Sequence, residues 1–122
     1  MNCKNILITG GMGFIGPTLI NRLIKENNVV VVDRLDYGLP PILENLINKD
    51  FEFIESDLSK RSSIHERISS GEFDSIIHMA SMSLIPVCEN QPDYAYKSNT
   101  LSPLLILQAN VKKSIFLNFS TS

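Results

Sequence analysis

The stretch Thr9-Gly10-Gly11-Met12-Gly13-Phe14-Ile15-Gly16 limits what this chain can fold into more than any other feature. It follows a short apolar run, Asn5 to Thr9. It precedes a segment, Phe14 to Lys25, in which Ile15, Leu19, Ile20, Leu23 and Ile24 recur at helical spacing. A strand must therefore hand over to a helix through a turn nearly bare of side chains. Within the spacing G-x-x-G-x-x-G, Gly10 permits the tight turn out of the strand. Gly13 leaves the backbone open to close approach, and Gly16 lets the helix pack closely on the strands. Pro17 falls in the first helical turn, where amides have no intrahelical partner, so the helix tolerates it.

The rest of the chain repeats the alternation. Val29 to Val32 is a continuous β-branched run, which predicts a strand buried on both faces of a parallel sheet. A Gly/Pro segment (Gly38, Pro40, Pro41) leads to a short helix near residues 42–48 and a third strand over 51–55. Residues 60–70 read as a helix, 75–79 as a fourth strand, 81–92 as a loop and 93–110 as helical, with Pro103 marking a kink or a helix start. A fifth strand over 114–119 ends three residues before the chain does. Strand and helix in alternation predict an α/β fold, a doubly wound parallel sheet with right-handed crossovers, and 122 residues suit one domain.

Composition narrows the possible partners. A formal net charge of −2 supplies no broad positive field, so neither nucleic acid nor an anionic membrane surface is an expected partner. No apolar run approaches the roughly 20 residues needed to cross a bilayer. No secretory signal is seen at the start, and Cys3 and Cys88 lack metal-ligand spacing. No metal site is expected, and the reducing cytoplasm is the expected setting.

The chemistry follows from the turn. Free amides and the positive end of the helix dipole favour an anionic pyrophosphate, with Gly10, Gly13, Phe14, Ile15 and Gly16 as the residues against it. Asp33, at the end of the second strand, stands about 20 residues beyond the glycine series, where a carboxylate accepts from both ribose hydroxyls of a dinucleotide. This favours NAD. A 2′-phosphate would meet like-charge repulsion that the adjacent Arg34 only partly offsets, so NADP is the weaker candidate.

With these residues in place, the whole chain resembles the extended short-chain dehydrogenase/reductase family, in particular its NAD-dependent epimerases and dehydratases of nucleotide sugars. Ser56-Asp57-Leu58 resembles the family's adenine-contacting pair, which implies that Asp57 accepts from the adenine amino group and Leu58 lies against the ring. A plain helix N-cap is the other reading of Asp57. His78-Met79-Ala80-Ser81 resembles the segment along the nicotinamide ribose, with His78 read as a structural histidine. Pro92, Tyr94 and Asn99 resemble the following helix, and Phe119-Ser120-Thr121-Ser122 resembles the segment ending in the catalytic serine or threonine. Two departures stand out: Ser81 replaces a small apolar residue, and Ser102-Pro103 stands where Gly-Thr is common.

The resemblance implies a Rossmann NAD-binding fold, here residues 1–122 and cut after the fifth strand, without the substrate domain. It implies hydride transfer between a sugar carbon and NAD, with Ser122 holding the sugar hydroxyl and a Tyr-x-x-x-Lys base on the next helix. Neither of those base residues lies within the chain, so the 122 residues alone are expected to be inactive. A homodimer is expected of the parent enzyme. The alternative is a noncatalytic NAD-binding sensor or scaffold.

Overall fold

The computed structural model describes residues 3–11, 16–34, 51–79, 93 and 100–118. Their elements are β1 (Asn5–Thr9), α1 (Gly16–Leu23), β2 (Asn28–Asp33), β3 (Glu52–Glu55), α2 (Ser63–Ser69), β4 (Ser75–His78), α3 (Ser102–Ala109) and β5 (Ile115–Asn118). The helix expected near 42–48 and the loop over 81–92 lie outside the described residues. Every strand pairing is parallel, in the order β3-β2-β1-β4-β5. The first strand of the chain is thus the central one, with Leu7 in register with Val30 on one side and Ile76 on the other.

Side chains alternate along each strand and sort into two clusters on opposite faces. Ile6, Ile8, Val29, Val31 and Ile77 pack with Ile20 of α1. Leu7, Val30, Val32 and Ile76 pack with Ile64 and Ile68 of α2 and Ile106 and Ala109 of α3. The chain moves outward from β1 through β2 to β3, then returns to β4 and continues the opposite way to β5. Right-handed crossovers in opposite directions place their helices on opposite faces, which is why α1 lies on one side and α2 and α3 on the other. Both faces of β2 are therefore covered, and Val29 to Val32 form an unbroken apolar run because each member meets a helix layer. The expected doubly wound parallel sheet is borne out.

Local chemistry moves some boundaries. The helix read over 60–70 begins only at Ser63, because residues 57–60 form a turn of their own. In it Asp57 Oδ1 accepts from the Ser59 amide at 3.0 Å and the Ser59 hydroxyl at 2.7 Å, and the Lys60 amide donates to the Asp57 carbonyl at 3.2 Å. The Ser62 amide then donates to His65 Nδ1 at 3.0 Å, a reciprocal cap with histidine in the place usually held by Glu or Gln. Asp57 is therefore not the N-cap of α2. Pro103 sits in the first turn of α3, directly after helical backbone at Thr100 and Leu101.

On β5, Phe116 packs against the α2/α3 side, whereas Ile115 and Leu117 are 62% and 50% exposed. Their register partners are Ser75 and Ile77, so they lie on the α1 face, beyond the reach of α1 over β1 and β2. Among the described residues no helix is long and apolar enough to cross a membrane.

Candidate functional site

The described site residues lie at the carboxyl ends of β1, β2, β3 and β4. In an open α/β sheet a crevice forms there between the strands whose connections leave in opposite directions, here β1 and β4. The glycine turn occupies this switch point. Gly10 has φ 73°, in the left-handed region that side chains avoid, and its amide donates to the Val32 carbonyl at 2.8 Å, carrying the ladder one residue past β1. A Cβ on Gly16 would lie 2.0 Å from the Gly11 carbonyl oxygen, so the start of α1 rests directly on the turn backbone. A Cβ on Gly11 would lie 2.4 Å from Val31 Cγ1 and 3.2 Å from Ile20 Cδ1. Gly11 was not singled out from sequence. Its only signal is the doubling Gly10-Gly11 where the spacing needs one glycine. Together these contacts bring the positive end of the α1 dipole down to the end of the sheet.

Asp33 closes β2 opposite Glu55, and its carbonyl accepts from the Ser56 amide at 3.1 Å, which ties the ends of β2 and β3 together. Arg34 reaches across this joint, with Nη1 3.6 Å from Asp57 Oδ2. Partial burial raises the Asp57 carboxyl, but the two Ser59 hydrogen bonds and the Arg34 and Lys60 charges outweigh it and hold the group below its ordinary range. Leu58 is 4% exposed and packs with Ile64, Val30 and Val32, so its side chain belongs to the core. Ser59, which orients Asp57, was also missed in the sequence, although an Asp followed two residues later by Ser is the pattern of such a turn.

Thr9 and His78 end β1 and β4 in register. Thr9 Oγ1 lies 2.6 Å from His78 Nδ1, and both side chains are fully buried. The imidazole stacks on Phe116 at 6.0 Å between ring centres. Burial pushes the His78 pKa down to about 4, and its Nε2 is buried without a hydrogen-bond partner. The structural reading of His78 agrees with this placement. The Met79 amide donates to the Thr9 carbonyl at 2.9 Å, and its side chain packs on the α1 side. Among the described residues no three His, Cys, Asp or Glu side chains gather as metal ligands would. Gly13, Phe14, Ile15, Ala80, Ser81, Asn99 and Ser122 lie outside the described residues.

A central strand that ends in a glycine turn at the switch point, with a carboxylate closing the neighbouring strand, defines a doubly wound domain of the Rossmann type. Comparison with known proteins narrows this class. The model of the NAD dependent epimerase/dehydratase family matches residues 6–122, and the chain belongs to that family. It is 33% identical over 125 residues to a UDP-glucose 4-epimerase of Yersinia enterocolitica, an alignment covering 96% of this chain and 37% of that protein. Among solved structures, UDP-glucose 4-epimerase of Thermotoga maritima with UDP-glucose superposes with a TM-score of 0.80 at 32% identity, covering 96% of this chain and 38% of that one. The enzyme of the same name from Bifidobacterium longum, in complex with NAD+ and UDP, gives 0.76 at 25% identity, covering 97% and 37%. The chain thus spans little more than a third of the length of these relatives.

Proposed function

We propose that these residues form the NAD-binding portion of a nucleotide-sugar epimerase acting on UDP-sugars. The observation that carries this reading is the joint placement of Gly10, Gly11 and Gly16 at the β1/β4 switch point and of Asp33 at the end of β2. The residues fit the cofactor on physical grounds. Contact between Gly16 and the Gly11 backbone brings a helix start and its dipole to where a pyrophosphate would lie; we assign Gly10, Gly13, Phe14 and Ile15 to the same task from the sequence. Asp33 would accept from the adenosine ribose hydroxyls, and Asp57 would meet the adenine edge through the side of its carboxylate that Ser59 leaves open. Met79, Ala80, Ser81 and Asn99 would border the nicotinamide ribose, and Ser122 would hold a sugar hydroxyl. NAD, when bound, supplies the hydride acceptor and donor. The chain's own residues bind, orient and exclude water. The whole protein would act as a homodimer in the cytoplasm.

Titration calorimetry with NAD+ and NADP+ tests this directly. NAD+ is expected to bind more tightly by about tenfold or more, because a 2′-phosphate placed against Asp33 meets a like charge close by. Equal affinity, or tighter NADP+ binding, sinks the assignment of Asp33. The same preparation, incubated with NAD+ and UDP-glucose or UDP-galactose, is expected to show no interconversion above the no-enzyme control, since serine lacks a partner base among the groups proposed here. Turnover would show that a residue within the 122 supplies the base.

A further inference from the structure

The Arg34–Asp57 pair lies at the rim of the proposed ribose site, yet its geometry is not that of a stabilising ion pair. At 3.6 Å, with side chains 36% and 27% exposed, it is long and wet, and pairs of this kind add little to stability. What it does have is direction. Asp57 Oδ1 is held by the Ser59 amide and hydroxyl at 3.0 and 2.7 Å, which orients the carboxylate independently of Arg34, and Oδ2 is the atom that faces the guanidinium. The hydrogen bond donated by the Ser56 amide to the Asp33 carbonyl fixes the spacing of the two strand ends that carry the partners.

We infer that Asp57 determines cofactor specificity by restraining Arg34, drawing toward the β3 side a neighbouring cation able to neutralise a 2′-phosphate beside Asp33. This rests on the proposed NAD site and concerns a different task from contact with adenine. The oriented Asp57 carboxylate, always present, and the 2′-phosphate, present only in NADP, compete for the guanidinium. Because Arg matches either with its planar fork, the outcome depends on which acceptor is better placed. Discrimination against NADP then has two parts, repulsion by Asp33 and sequestration of Arg34. The second can be removed without touching the first.

The experiment is a double-mutant cycle on the chain, read as the ratio of NADP+ to NAD+ affinity, in which effects on the shared adenine cancel. Asp57→Asn keeps the shape and an acceptor for Ser59, and is expected to raise the ratio by about threefold to tenfold, roughly the worth of one part-exposed charge pair. Arg34→Gln alone is expected to leave the ratio within about twofold, because the restrained guanidinium contributes little there. The double variant is expected to lose the gain, which separates release of Arg34 from mere loss of a negative charge. Ser59→Ala, which unties the carboxylate without changing charge, is expected to move the ratio in the same direction as Asp57→Asn and less far. Circular dichroism confirms that each variant is folded. A ratio unmoved by both Asp57→Asn and Ser59→Ala, or a gain that survives in the double variant, overturns the inference and leaves the NAD site standing. Failure of the unsubstituted chain to bind NAD+ overturns both.

Discussion

A chain carrying Gly16→Ala is expected to lose about 3 kcal/mol or more of folding stability, at the upper end of the cost of overpacking a tight interior. Two effects oppose each other at this position. Alanine forms helix better than glycine by about 1 kcal/mol, which on its own would make the variant the more stable. Against that, the new Cβ would stand 2.0 Å from the Gly11 carbonyl oxygen and 2.4 Å from its carbon, and backbone atoms have no rotamer through which to withdraw. The helix start would have to lift off the turn, pulling Ile20 from between Ile8 and Val31 on the α1 face. Gly11→Ala is expected to cost less, about 1–3 kcal/mol, because its first obstacle is a side-chain methyl of Val31. Urea unfolding of the two variants beside the parent gives the order. A Gly16→Ala midpoint equal to the parent's would mean that α1 does not rest on the turn.

The second large effect is expected from acid. His78 is fully buried and its pKa is pushed down to about 4, whereas in the unfolded chain a histidine titrates near its ordinary 6.5. Between these values the unfolded state binds a proton that the folded state refuses, so unfolding becomes easier as pH falls. The stability supplied by keeping the ring neutral is whole above about pH 6.5, declines below it, and is gone by about pH 4, a loss of about 3 kcal/mol for this one group. His65 adds to the trend, since burial, assisted by the Arg61 charge, also lowers its pKa. Against a typical total of about 5–15 kcal/mol this is a substantial share. Urea midpoints taken at steps from pH 7 to 4.5 should fall steadily in the parent and more shallowly in His78→Asn. A flat profile in the parent would contradict the burial of a neutral imidazole.

Much of this architecture was legible because its causes are local. Val29 to Val32 announces a strand covered on both faces, which the structure has, and the glycines after Thr9 announce a tight turn, in which Gly10 has a positive φ and Gly16 leaves no room for a Cβ. Asp33 falls at the end of β2 because the length of a strand-turn-helix-strand unit is nearly constant. What was not legible depends on contacts between distant segments. The need for glycine at position 11 comes from Val31, 20 residues away, and becomes visible only once α1 presses the turn onto β2. The Thr9–His78 bond joins residues 69 positions apart, and neither side chain signals the other. Arg34 was read as a counterweight to Asp33, and its approach to Asp57 could not be read beside it, because the pairing of β2 with β3 is what brings the two near. The late start of α2 was missed because His65 fills a capping position where Glu or Gln is the usual sign.

The central position of β1 has a bearing on how the chain is made. It is synthesised before the other four strands of the sheet, yet one of its edges is closed by Asn28–Asp33 and the other only by Ser75–His78. While a ribosome extends the chain through the intervening residues, the β1–α1–β2 unit can assemble with the glycine turn in place, but the β4-side edge of β1 has no strand to pair with. Leu7 and Ile8, which have no exposed surface in the folded chain, are then covered on one flank alone, next to open backbone donors and acceptors. The interval before β4 emerges is when this chain is most open to joining another copy edge to edge, and slower elongation between residues 34 and 75 would lengthen that interval.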